Sequence, residues 1–210
     1  MARKTLGIRR NLKAEQRRKA ITESAIKVFS TKGYDQTTMD DIVMESGCSK
    51  SLIYWYFDSK AALFGELMDR CMTDHVDMID RALGTDLDFW ARFQAMIDAF
   101  TDYYNENKPL NRLVHFGSLH VSDSKTENFS RKLTKYHDAI LNTLEQFFRE
   151  GVEQGAVRPE ADCSALAYFI TAVVSGHHFM SIHEDRMPVG RGVFDVVVDY
   201  IIPRMKVLET

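Results

Sequence analysis

The chain has 210 residues, 45% of them hydrophobic and 27% charged, which is ample apolar material for one large domain or for a small domain fused to a larger one. It contains no run of 18 apolar residues, and its basic N-terminus is not followed by an apolar stretch, so neither a bilayer-spanning helix nor a secretory signal is expected and the expectation is a soluble, cytoplasmic protein. The formal net charge of −3 conceals an asymmetry, because residues 1–60 hold 12 Lys or Arg against 7 Asp or Glu, leaving 15 against 23 for residues 61–210.

Apolar residues recur at helical spacing along nearly the whole sequence and no Asn-Gly or Asp-Gly hairpin dipeptide is present, so the fold class is all-α, with about nine helices. The first 19 residues carry eight basic side chains (Arg3, Lys4, Arg9, Arg10, Lys13, Arg17, Arg18, Lys19) and one acid, Glu15, a basic arm that attracts an anionic polymer. A first helix is predicted over 13–32, burying Ile21, Ala25, Val28 and Phe29 and ending at Gly33. Thr38 opens the second, with Asp41 three residues on as a capping box and Ile42 and Val43 facing inward. Gly47 closes it and Ser49 caps a third. Asp58 or Ser59 caps a long fourth helix with Leu63, Phe64, Leu67, Met68, Cys71, Met72, His75, Val76 and Ile79 on its inner stripe. Further helices are predicted around Phe89 to Tyr104, broken by Lys108-Pro109, then over 110–121, 125–154 and 165–181. The last segment, 193–205, is rich in β-branched residues, yet a lone strand has nothing to pair with, so it is also read as helix.

Residues 37–60 hold the most specific chemistry. At about 100° per residue, Ile53 and Phe57 share one face of the third helix, facing Ile42 and the first helix, while Ser51, Tyr54 and Trp55 share the opposite face. An aromatic face next to Lys50 and Lys60 with no core to join fits a phosphate backbone with base edges between, and Ser51 and Leu52 are short enough to let the helix enter a major groove. The simpler alternative is a helical hairpin whose aromatics pack on a neighbour.

This stretch resembles the TetR-type transcriptional regulators. The resemblance rests on Ala25-x-x-x-Phe29, Lys32-Gly33-Tyr34, Thr37-Thr38-x-x-x-Ile42, Ser46-Gly47-Cys48-Ser49-Lys50, Ile53-Tyr54-x-x-Phe57 and Ser59-Lys60-x-x-Leu63. It implies a helix-turn-helix DNA-binding domain over residues 1–60 and a helical effector-binding and dimerisation domain over 61–210. It also implies that Thr38, Met39, Ser49, Lys50, Ser51, Leu52, Tyr54, Trp55, Tyr56 and Lys60 form the DNA-binding set: Thr38 caps toward a phosphate with Met39 beside it, Lys50, Ser51 and Leu52 approach the bases, Tyr54, Tyr56 and Lys60 contact the backbone, and Trp55 flanks the surface. Two departures stand out, Ser51 where the family commonly has Gly and Tyr56 where it often has His. The implied partners are double-stranded DNA carrying a palindromic operator, a small-molecule effector, and a second copy of the chain packed through the last two long helices. The implied mechanism is repression by occupancy, with two reading heads about 34 Å apart until a ligand moves the fourth helix and alters that spacing.

The effector is expected to be apolar or aromatic, with Phe93, Phe100, Tyr103, Tyr104, His115, Phe116, Phe169, His177 and Met180 as candidate lining residues, although a Phe or Met stripe at helical spacing is more often plain core. No metal site and no cofactor are expected, because His178 and His183 lack the spacing that places two ligands on one helix face, and Cys48, Cys71 and Cys163 have neither zinc-site spacing nor an even disulfide count. No nucleophile elbow or phosphate loop suggests an enzyme. The competing reading is a DNA-binding architectural or cell-division protein of the same fold that needs no effector.

Overall fold

The computed structural model describes the backbone of residues 2–113, 126–183 and 196–197, and the side chains of residues 13–113, 131–177 and 196–197. The chain is all-helical, as its periodicity requires, and no strand occurs among the described residues. The helices are α1 (Ala2–Lys32), α2 (Met39–Ser46), α3 (Lys50–Tyr56), α4 (Lys60–Leu83), α5 (Phe89–Glu106), α6 over the described residues 108–113, α7 (Thr126–Glu153) and α8 (Cys163–His183). Residues 196 and 197 are helical, while the rest of the predicted 193–205 segment, and most of the predicted 110–121 segment, lie outside the described residues.

The first helix begins at Ala2 rather than near Lys13, so the basic arm is part of α1. Its Lys, Arg, Ala, Gln and Glu residues all have high helix propensity and no proline interrupts them, which a reading based on apolar spacing alone does not register. Two compact units divide inside α4, one taking the chain up to Cys71 with the stretch from Pro109, the other running from Met72 to Lys108 and including α7 and α8.

The first unit closes around Ile21, Ala25, Phe29, Ile42, Ile53, Phe57, Leu63, Phe64 and Leu67, all buried. Phe29 lies edge-on to Phe64, at 5.7 Å, and stacks on Tyr34 at the same distance. Thr37 is buried where its hydroxyl donates to the Gly33 carbonyl at 2.7 Å, so the turn after α1 satisfies its own polar groups. Gly33 and Gly47 both have positive φ, 80° and 64°, and both end helices where the chain must turn left-handed.

The second unit is an aromatic core. Phe89 stacks on Phe147 at 4.3 Å, and Phe93 packs beside Phe147 and Phe148. Arg92 ties α5 to its neighbours, donating to the Leu83 carbonyl and to Glu150 while its guanidinium lies over the Phe147 ring. The close approach of α5 and α7 depends on Gly151, where a β-carbon would sit 2.5 Å from the Phe89 ring and 2.8 Å from Val157. Gly151→Ala is therefore expected to overpack this contact and destabilise the fold by about 1–3 kcal/mol, read as a lower urea midpoint at unchanged slope. An unchanged midpoint would mean that the two helices are not in close contact.

Candidate nucleic-acid interface

Helix α2 is fixed at its first turn. Thr38 is extended at φ −109°, its hydroxyl oxygen accepts from the Asp41 amide at 3.2 Å, and the Asp41 carboxylate accepts from the Thr38 amide at 2.9 Å. Both halves of the capping box predicted from the sequence are present. Lys32 donates to the same carboxylate at 2.6 Å, and Lys27 pairs with Glu45 at 2.5 Å, so two ion pairs hold α2 against α1. The hydrogen bond from Lys32, followed by those from Thr38, lowers the Asp41 carboxyl to about 2.

The turn into α3 uses Gly47, whose amide donates back to the Val43 carbonyl at 3.1 Å. A β-carbon on Gly47 would meet nothing within 4 Å, so only backbone strain forbids a larger residue there. Ser49 then caps α3, accepting from the Leu52 amide, and its hydroxyl lies 3.2 Å from that of Ser51. Helix α3 has only seven residues. Ile53 and Phe57 are buried in the first unit's core, and Arg18 lies over the Phe57 ring at 5.6 Å while its guanidinium is held by the Glu66 carboxylate. With that face committed, Ser49, Lys50, Ser51, Tyr54 and Trp55 are left exposed and Leu52 half-buried, with Trp55 73% exposed and edge-on to Tyr56. Exposed Thr38 completes this surface at the start of α2.

Three residues of the sequence-derived set are placed differently. Met39 is buried at 8% exposure, because the first residue of α2 turns its side chain inward beneath the cap. Tyr56 is half-buried and donates its hydroxyl to the Ala14 carbonyl of α1 at 3.0 Å. Lys60 donates to the Tyr34 carbonyl at 2.7 Å and to that of Asp35 at 3.3 Å, and its ammonium lies 4.3 Å from the Tyr34 ring centroid. Tyr56 and Lys60 thus fasten α3 and the start of α4 to α1 and the turn after it. Lys50 does not stand alone either: its ammonium is 2.7 Å from the Asp40 carboxylate, which raises the lysine pKa. Asp40 was not singled out from the sequence, where its only signal is an acidic residue beside the capping pair.

The candidate effector residues fall in several places. Phe93, Phe100 and Tyr104 are core residues of the second unit. Phe100 and Tyr103 both flank the buried His75 ring, whose Nδ1 is 2.8 Å from the Tyr136 hydroxyl, and the Tyr103 hydroxyl donates to Asp74 at 3.2 Å. His75 and Tyr136 each sit in an apolar stripe of the sequence, and their pairing across 61 residues leaves no local signal. His177 is buried, and burial lowers its pKa. Phe169 is exposed on α8 next to exposed Tyr168. His115 and Phe116 lie outside the described residues, as does the side chain of Met180. Among the described residues no cluster of His, Cys, Asp or Glu could hold a metal ion, and no helix is long and apolar enough to cross a membrane.

Two outcomes follow from this geometry. Thr38→Ala removes the cap oxygen and is expected to cost about 1 kcal/mol in chemical denaturation. It should also shrink the acid sensitivity of the fold. Because the Asp41 carboxyl is depressed when folded, its contribution is complete above the ordinary carboxylate range near 4 and is lost as the pH falls toward 2. Stability measured across that window should therefore fall slightly less steeply in Thr38→Ala than in the parent, because the carboxylate loses the hydroxyl bond but keeps those from Lys32 and the residue 38 amide, and a steeper fall would contradict this. Gly47→Ala should cost about 1–2 kcal/mol through the left-handed turn alone; a neutral substitution would show that the turn is not strained.

Residues 21–67 match the family model described as bacterial regulatory proteins, tetR family, and residues 90–193 match tetracyclin repressor-like, C-terminal domain. The chain is 26% identical over 162 residues to the uncharacterized HTH-type transcriptional regulator YfiR of Bacillus subtilis, covering 77% of this chain and 78% of that one. It is 25% identical over 167 residues to the HTH-type transcriptional repressor ComR of Escherichia coli, covering 76% of each. The transcriptional regulator FadR of Bacillus subtilis, solved in complex with stearoyl-CoA, shares the fold at a TM-score of 0.69 and 17% identity, over 85% of this chain and 96% of that one. With both its reading unit and its C-terminal region matched, the chain belongs to the TetR family of DNA-binding transcriptional regulators.

Proposed function

We propose that the protein is a repressor that occupies a palindromic operator as a homodimer and leaves it when a small, largely apolar or aromatic ligand binds. The observation that carries the DNA half of this reading is the division of α3 into a buried face, Ile53 and Phe57, and an exposed face bearing Lys50, Ser51, Tyr54 and Trp55. On that face Ser51 and Leu52 meet base edges, Ser49 and Tyr54 donate to phosphates, Thr38 sits beside them at the capped start of α2, and Trp55 covers the flank. Met39, Tyr56 and Lys60 act from beneath, holding the reading helix at its angle through core packing and the bonds to Ala14, Tyr34 and Asp35. The basic residues along α1 add sequence-independent attraction.

Dimerisation through α8 and the segment that follows it is supported by the exposure of Tyr168 and Phe169, apolar surface that a second copy would cover. The effector belongs to the second unit, where the aromatic core carries polar groups at His75, Tyr103, Tyr136 and Asp74. An apolar body with a single hydrogen-bonding group suits that mixture. The bound stearoyl-CoA of the fold relative from Bacillus subtilis lends support to an apolar acyl class of ligand. Release requires that the ligand prefer the form of the protein that does not bind DNA.

Selection of bound duplexes from random DNA, followed by a salt titration of the best sequence, tests the reading. The affinity should fall steeply with salt, since several phosphate contacts release counterions. Tyr54→Ala should weaken binding about ten-fold or more with the fold intact, and Lys50→Ala should relax the base preference at one half-site position. A flat salt response, with Tyr54→Ala binding as the parent does, would remove α3 as the reading element.

A further inference from the structure

Helix α2 presents three acidic side chains, and each has a lysine partner. Asp41 and Glu45 pair with Lys32 and Lys27 of α1 and so hold α2 in place. Asp40 does something else: it reaches across to Lys50, the first residue of α3, and both side chains remain mostly exposed, 67% for Asp40 and 58% for Lys50. The pair also follows the helix dipoles. Asp40 sits in the first turn of α2, where a negative charge is favoured, and Lys50 sits at the N-terminus of α3, where a positive charge is not. Without DNA, Asp40 supplies the anion that the start of α3 and its lysine attract. An ion pair this exposed is weak and readily exchanged.

When the exposed face of α3 meets DNA, Lys50 can exchange the carboxylate for a guanine edge, whose O6 and N7 are both acceptors. Asp40 is then an acceptor-only group against a polyanion, and it needs a donor. In the major groove guanine and thymine offer it acceptors, and adenine sets the repelling N7 beside its amino group. Cytosine presents the N4 amino donor with no acceptor on its own edge, the neighbouring O6 belonging to its paired guanine. Asp41 cannot take over this task, since its carboxylate is committed to Lys32 and Thr38.

We propose that Asp40 is a specificity-determining residue which accepts from the N4 amino group of a cytosine in each operator half-site, while Lys50 leaves it for guanine. The inference rests on the reading of α3 as the element that enters the major groove. A sequence that lacks the cytosine leaves Asp40 uncompensated beside acceptors, so the residue discriminates chiefly by repelling wrong sites. Asp40 is exposed and is not the capping residue, so its substitution spares the fold.

The test uses the full chain and duplexes in which each half-site position of a selected operator is varied through all four bases. The parent protein should prefer cytosine at one position by about ten-fold. Asp40→Asn should move the preference at that same position to adenine, whose N6 and N7 a carboxamide contacts together, and Asp40→Ala should level it. If Asp40→Ala keeps the parent's ranking at every position, the inference fails while the regulator reading stands. If the parent binds all duplexes alike, the major-groove reading fails and the inference with it.

Discussion

A helix of seven residues has no stability of its own in water, so α3 exists only because the rest of the first unit holds it. Two buried side chains, Ile53 and Phe57, are the means by which it is held. Because they lie four residues apart on a single face, seating them leaves one choice for what the other side of the helix presents. Lys50, Ser51, Tyr54 and Trp55 are exposed as a consequence. The Gly47 turn, the Ser49 cap, the Tyr56 bond to α1 and the Arg18 guanidinium over Phe57 all serve this seating. The exposed face of α3 is the remainder once the core has taken what it needs.

The same economy divides the polar and aromatic residues around α3 into those left exposed and those that hold the helix in position. Lys60 looks like a phosphate ligand by charge and location, yet two backbone carbonyls and an aromatic face already surround its ammonium. That arrangement ties the start of α4 to the turn after α1. Helix α4 runs on from this point as one helix, Lys60–Leu83, and the chain divides into its two compact units within it.

Much of this was legible in the sequence. Helix periodicity, the Thr38 and Asp41 capping box, the glycines at 33 and 47 and the inner pair Ile53 and Phe57 are local patterns, and local patterns fix local structure. Partners distant along the chain were not legible. The Tyr56 hydroxyl bonds a carbonyl 42 residues away, Lys60 reaches back 26, and His75 meets Tyr136 across 61. Such pairs follow from the tertiary fold and leave no spacing to find. Met39 illustrates a third case, a residue next to a cap whose direction depends on the turn geometry itself. The candidate effector residues carry the weakest signal, because an aromatic stripe that packs a core and one that lines a cavity have the same period.

The central claim is that two copies of this reading unit grip one face of a duplex. Hydroxyl-radical footprinting of the full-length protein on a selected operator addresses it at single-nucleotide resolution. The account predicts two related patches of protection on the same face of the DNA, centred about one helical turn apart or a multiple of it, with dyad symmetry between the strands. A single patch, or uniform protection with no symmetry, would contradict it.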